Sequence, residues 1–147
     1  VSDLLKKSVR KQSNFTFLTH LKMKFTTNTY EKYTVVAIEE EKFDSTLAVE
    51  AKSVFVETYQ AGVINLIIDM SKVKYVDSSG LSAILVAQRL AQNSNGLLVL
   101  FGVTDHVLKL IKISKLDSVL NILNTYEEAV DAVFMSEIER EIKEDEA

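Results

Sequence analysis

Two hydrophobic periods alternate along this chain. In KFTTNTYEKYTVVAIEE, residues 24–40, the Thr, Tyr, Phe and Val content suits a pleated surface, and polar Glu31-Lys32 interrupts it. That stretch predicts a β-hairpin. Leu47, Ala51, Val54, Phe55 and Thr58 then fall at helical spacing, with Asp44 or Ser45 placed to cap the start and Gly62 to end it. VINLIIDM, residues 63–70, is nearly all apolar and too short for an ordinary helix, so it reads as a strand covered on both faces.

A second helix is predicted from about Ser79 to Asn93, with Leu81, Ile84 and Leu85 on one face and Ala83, Val86, Ala87 and Leu90 widening the stripe. Gly96 closes it, and LLVLFGV follows as another buried strand. Thr104 or Asp105 can cap a short helix carrying Val107, Leu108 and Ile111, and SVLNILN makes a last, weaker strand. Thr125 and Glu128 have capping-box spacing, and Val130, Phe134, Ile138 and Ile142 recur every four residues behind them. The order β-β-α-β-α-β-α-β-α predicts an α/β domain: a mixed sheet of four to five strands with about four helices.

Composition narrows the chemistry. The 147 residues suit one domain, and no proline or repeat marks an internal boundary. Without cysteine there is no disulfide, thiol nucleophile or Cys-based zinc site, and His20 and His106 stand too far apart to suggest a metal. No cofactor is expected. No apolar run approaches the roughly 20 residues of a membrane span, and no signal-peptide core is visible. A cytoplasmic protein follows.

Charge is uneven. Residues 1–22 carry Lys6, Lys7, Arg10, Lys11 and Lys22 against Asp3, and the end from Glu137 onward is acidic. The basic end lacks regularly interleaved aromatics, which argues against nucleic-acid binding. We divide the chain into a basic extension outside the fold (1–22), a domain (23–136) and an acidic helix end (137–147).

The most unusual stretch is Asp77-Ser78-Ser79-Gly80, short and polar between an apolar strand and an apolar helix. As a nucleophile elbow, G-x-S-x-G, it fails: Val76 stands where the first glycine belongs, and His106 is the only base within the domain. A phosphorylated Asp69 at the end of LIIDM would need a magnesium-binding acidic pair, and Glu39, Glu40 and Glu41 end the hairpin instead. The four glycines are scattered singly, so no phosphate-cradling loop exists. What remains is a turn suited to receive charge, because a helix N-terminus favours an added anion. Ordinary N-capping by Asp77 or Ser78, with Gly80 for close packing, accounts for the same residues.

INLIIDMSKVKYVDSSGLSAIL, followed by GLLVLFGVTDHVLKLIKISKLDSVLNIL, resembles the STAS domain of bacterial anti-sigma factor antagonists, from about Lys24 to Val133. The resemblance implies a non-enzymatic protein whose Ser78 is phosphorylated by its partner, an anti-sigma factor serine kinase, and restored by a serine phosphatase. The unphosphorylated form would bind that kinase and free a sigma factor. Asp44, Asp77, Ser79, Gly80 and Leu81 would form the partner-binding surface around Ser78. The family also holds non-switching members, such as subunits of lipid-transport systems. Glu41, Ser82 and Lys115 stand where the family commonly has glycine, all at turn or surface positions.

Overall fold

Side chains along the central strands alternate between two faces, and different helices cover each face. The computed structural model describes residues 24–146. In chain order these form β1 (Phe25–Thr29), β2 (Thr34–Ile38), β3 (Lys42–Phe43), α1 (Ser45–Gln60), β4 (Leu66–Asp69) and β5 (Tyr75–Val76). Then come α2 (Ser78–Asn93), β6 (Leu98–Phe101), α3 (Asp105–Ile113), β7 (Asn121–Leu123) and α4 (Tyr126–Glu146). The extension expected over 1–22 lies outside the described residues.

The main sheet runs β1-β2-β4-β6-β7. Its hairpin is antiparallel, with Phe25 opposite Ile38, and every other pairing is parallel. Val36, Ile38, Leu66, Ile68, Leu98 and Leu100 face one way, into a core completed by Phe43, Phe55, Ile84 and Ile111. Val35, Ile67 and Val99 face the other way, against Ala129 and Val133 of α4. Burial on both faces explains why VINLIIDM and LLVLFGV read as continuous apolar runs. Among the described residues, the predicted mixed sheet with four helices is the fold observed.

Three local features differ from the sequence reading. Two short strands, β3 and β5, form a separate parallel pair that no periodicity announces. Thr104 precedes α3 without a side-chain cap bond; its hydroxyl donates to the Val73 carbonyl instead, at 3.4 Å. In α4 the buried positions are Ala129, Val133 and Glu137, whereas Ile138 and Ile142 are about half exposed. The stripe drawn through Val130, Phe134, Ile138 and Ile142 lies one residue, about 100° of helix, round from the buried face of Ala129, Val133 and Glu137.

Asn65, just before β4, explains the buried acid. Its Nδ2 donates to Glu137 Oε1 at 2.6 Å and to the Lys32 carbonyl at 2.9 Å, while its Oδ1 accepts from Leu97 N at 3.0 Å. One buried amide thus ties the hairpin turn, β6 and α4 together, and Arg140 pairs with the other Glu137 oxygen. The boundary drawn between 136 and 137 therefore falls inside a continuous helix, at a residue that faces the core.

Close backbone approach fixes two glycines. A Cβ on Gly96 would lie 1.6 Å from the Ile64 carbonyl oxygen. One on Gly80 would lie 2.4 Å from the Phe43 carbonyl oxygen.

Candidate functional site

The β3–β5 pair sets two helix starts side by side. Phe43 pairs with Val76, so Asp44 and Asp77 are the next residues on adjacent parallel strands. Each then caps the helix that follows. Asp44 Oδ1 accepts from Thr46 N at 3.1 Å and from Leu47 N at 3.3 Å; Asp77 Oδ1 accepts from Ser79 N at 2.9 Å and from Gly80 N at 3.0 Å. Both aspartates have the extended backbone an N-cap requires.

The two starts are also joined through the backbone. Asp77 N donates to the Phe43 carbonyl at 3.3 Å, and Lys74 N and Tyr75 N both donate to the Glu41 carbonyl. Gly80, buried in the first turn of α2, lets that turn sit against Phe43. The sequence contained a signal for this arrangement: Phe43-Asp44-Ser45-Thr46 and Val76-Asp77-Ser78-Ser79 are the same apolar-acid-hydroxyl-hydroxyl pattern.

Ser78 is the first residue of α2 and is exposed. Because Asp77 supplies the cap, its hydroxyl is not needed for helix initiation. Ser79 is half-buried beside it. Leu81 departs from the expected surface set: it is 9% exposed and packs into the main core, because the fourth position of α2 turns inward. Gly80 likewise acts by spacing rather than by exposure. Asp44 reaches the site through the small β3–β5 pair rather than along an edge of the main sheet.

Charged and apolar groups around the two helix starts were not anticipated. Lys72 pairs with Glu39, and this carboxylate holds the Lys72 ammonium above the usual lysine range, first through the hydrogen bond and then through its charge. Lys74 pairs with Glu41 at 3.2 Å, both well exposed, so the pair adds little stability but marks the surface with both signs. Tyr75, two residues before Asp77, is 45% exposed.

The other residues considered for chemistry have ordinary roles. Asp69 accepts from Ser71 N at 2.9 Å and from Ser71 Oγ at 2.6 Å, closing its own turn. His106 is exposed in the first turn of α3. Among the described residues no group of three or more His, Asp or Glu could hold a metal ion. No helix among them is long and apolar enough to cross a membrane.

Comparison with known proteins places this geometry. The STAS domain family profile matches residues 6–129. An anti-sigma-B factor antagonist of Listeria monocytogenes is 36% identical over 70 residues, which are 46% of this chain and 60% of that protein, so the match spans under two thirds of the relative. An anti-sigma factor antagonist of Mycobacterium paratuberculosis superposes with TM-score 0.67 at 18% identity, covering 74% of this chain and 92% of its own. The Bacillus cell fate determinant SpoIIAA in its phosphorylated form superposes with TM-score 0.59 at 21% identity, covering 74% and 98%. At those identities the structures speak to the fold, and the family match extends over most of the sequence. The chain belongs to the STAS domain family.

Proposed function

We propose that this protein is a cytoplasmic anti-sigma factor antagonist, switched by phosphorylation of Ser78. The observation that carries the reading is the division of labour at the start of α2. Asp77 does the capping, which leaves an exposed serine hydroxyl that the fold does not need. The name of the Listeria relative supports the class of partner.

In this reading the neutral Ser78 hydroxyl, Asp44, Asp77, Ser79 and the exposed ring of Tyr75 form one docking surface for an anti-sigma factor that is a serine kinase. Binding it releases the sigma factor. Phosphate on Ser78 adds a charge of about −1.5 to −2. The helix dipole tolerates that charge, so the domain stays folded. The Asp44 and Asp77 carboxylates, however, already occupy four of the open amides and carry like charge. The phosphate therefore remains at the surface, where it must be desolvated on docking, and the complex separates until a serine phosphatase removes it. The protein performs no catalysis itself.

The test is to incubate the full chain with its candidate anti-sigma kinase and ATP, then map the phosphate. A phosphopeptide carrying Ser78, with loss of binding on phosphorylation, is expected. A stable complex without phosphate transfer would favour a non-switching role.

A further inference from the structure

We propose that the turn ending α2, Asn95-Gly96, is a site of spontaneous covalent modification, at which Asn95 loses its side-chain amide to become aspartate or isoaspartate whenever the turn opens. Of the seven asparagines in the chain, only Asn95 is followed by glycine. Glycine has no Cβ to shield its own nitrogen, so that nitrogen reaches the preceding side chain more freely than any other residue's would. Asn95 is exposed, which admits the water and hydroxide that the reaction uses.

Two geometric demands place this labile pair here. Asn95 has a left-handed φ of 57°, which asparagine tolerates better than most residues that carry a side chain. A Cβ on Gly96 would strike the Ile64 carbonyl oxygen at 1.6 Å. The fold therefore asks for the most reactive dipeptide at this corner.

The same turn holds the reaction in check. Gly96 N donates to the Ala91 carbonyl at 3.0 Å and Asn95 N to the Gln92 carbonyl at 3.2 Å, the paired bonds of a Schellman motif. While they hold, the Gly96 nitrogen keeps its proton and its place. Once they open, that nitrogen bonds to Asn95 Cγ and its proton passes to hydroxide. The Cγ–Nδ2 bond breaks, and Nδ2 leaves as ammonia. Water then opens the cyclic imide at either carbonyl. One cleavage gives aspartate, and the other reroutes the main chain through the side chain as isoaspartate. The added backbone carbon of isoaspartate shifts Gly96 against Ile64. It also shifts Leu97, whose N donates to Asn65 Oδ1 at 3.0 Å. The turn cannot then reclose as before, and the buried Asn65 amide loses its hold on β6.

The test ages the full-length chain in mildly alkaline buffer beside a synthetic peptide of residues 90–99, with peptide mapping of both. Amide loss should accumulate at Asn95 before any other asparagine. It should run at least about tenfold more slowly than in the peptide, because only the opened fraction reacts. Urea below the unfolding transition should speed it. The purified isoaspartate form should unfold at lower urea than the parent. Asn95→Gly, which accepts the same φ, should end amide loss in this segment. No loss at Asn95 while the peptide converts, or loss as fast as in the peptide, would overturn the proposal. So would loss that persists in Asn95→Gly, which would place the reaction at Asn93, or an isoaspartate form that melts with the parent.

Discussion

The first turn of α2 rests on the carbonyl of Phe43: Gly80 comes so near that a Cβ there would lie 2.4 Å from that oxygen and 2.9 Å from Val76 Cγ1. This contact locks the two capped helix starts together. Gly80→Ala gains helix propensity but must push the β3–β5 pair and α2 apart. We expect a net loss of about 1–3 kcal/mol in chemical denaturation. Weaker partner binding should accompany it, because Asp44 and Ser78 would no longer keep their spacing. An unchanged denaturation midpoint would show that the contact relaxes freely.

Asp44 and Asp77 hold equivalent caps, so each Asp→Ala change should cost about 0.5–2 kcal/mol. Their effects on binding should separate from that cost. Asn at either position retains a capping oxygen without the charge. Asp44→Asn should therefore restore stability, and a residual binding defect would assign the carboxylate's charge to the partner surface. Full recovery of binding would reduce Asp44 to a structural cap.

Alkaline pH should weaken the fold through its tyrosines. The hydroxyls of Tyr33 and Tyr126 lie 2.6 Å apart, and Tyr30 stacks on Tyr33 at 4.8 Å. Burial raises all three ionisations above the ordinary value of 10.0, and in Tyr126 the Tyr33 hydroxyl raises it further. Below about pH 10 both folded and unfolded chains keep these protons and stability is unaffected. Above it the unfolded chain ionises first, so stability falls as pH rises. Tyr126→Phe should flatten that slope in urea melts from about pH 9 to 11.5. A slope equal to the parent's would exclude the cluster.

What the sequence disclosed follows from how long each signal is. The hairpin, the buried strands and α1 to α3 each repeat a hydrophobic period over several residues, enough to register. β3 and β5 have two residues apiece and no period, so the pairing that brings Asp44 beside Asp77 was visible only in the repeated apolar-acid-hydroxyl pattern. The Asp77-Ser78-Ser79-Gly80 turn stood out because short polar residues interrupt apolar runs, and the helical period that grouped Leu81 with Ile84 agrees with its burial, against its place in the expected partner-binding set. In α4, hydrophobicity favoured Ile138 and Ile142, whereas the fold buries Glu137, because Asn65 supplies a donor from 72 residues away in sequence. Lys115 is a parallel case. Its backbone has a left-handed φ of 59°, a conformation that ordinarily favours glycine, so the residue type alone gives no sign of this turn.

Asn65 makes the C-terminal boundary measurable. Residues 141–146 are exposed, so removing 141–147 should keep stability within about 0.5 kcal/mol. Removing 137–147 takes away Glu137 and leaves Asn65 a buried donor short, which should cost about 1–3 kcal/mol. Urea melts of the two truncations decide the point. Equal stability would show that Asn65 finds another partner.

The Ser78 variants test the switch. Since Asp77 provides the cap, Ser78→Ala should change stability by no more than about 0.5 kcal/mol and should bind the anti-sigma partner constitutively. Ser78→Asp adds one charge at a helix start, where the dipole favours it, so the fold should again be spared. On docking, that charge must lose water against a surface shaped for a hydroxyl. A penalty of about 2.8 kcal/mol corresponds to roughly hundredfold weaker binding. Phosphate carries more charge than aspartate, so its effect should be larger. Ser45 is the built-in control, because it follows Asp44 at the start of α1 as Ser78 follows Asp77 at the start of α2, and it is exposed too. Ser45→Ala and Ser79→Ala should both leave phosphorylation in place. The measurement is a titration of each variant against the kinase, with phosphosite mapping on the parent. If Ser78→Asp binds as tightly as Ser78→Ala and the phosphate maps to Ser45 or nowhere, the capped turn of α2 is structural and the switch lies elsewhere.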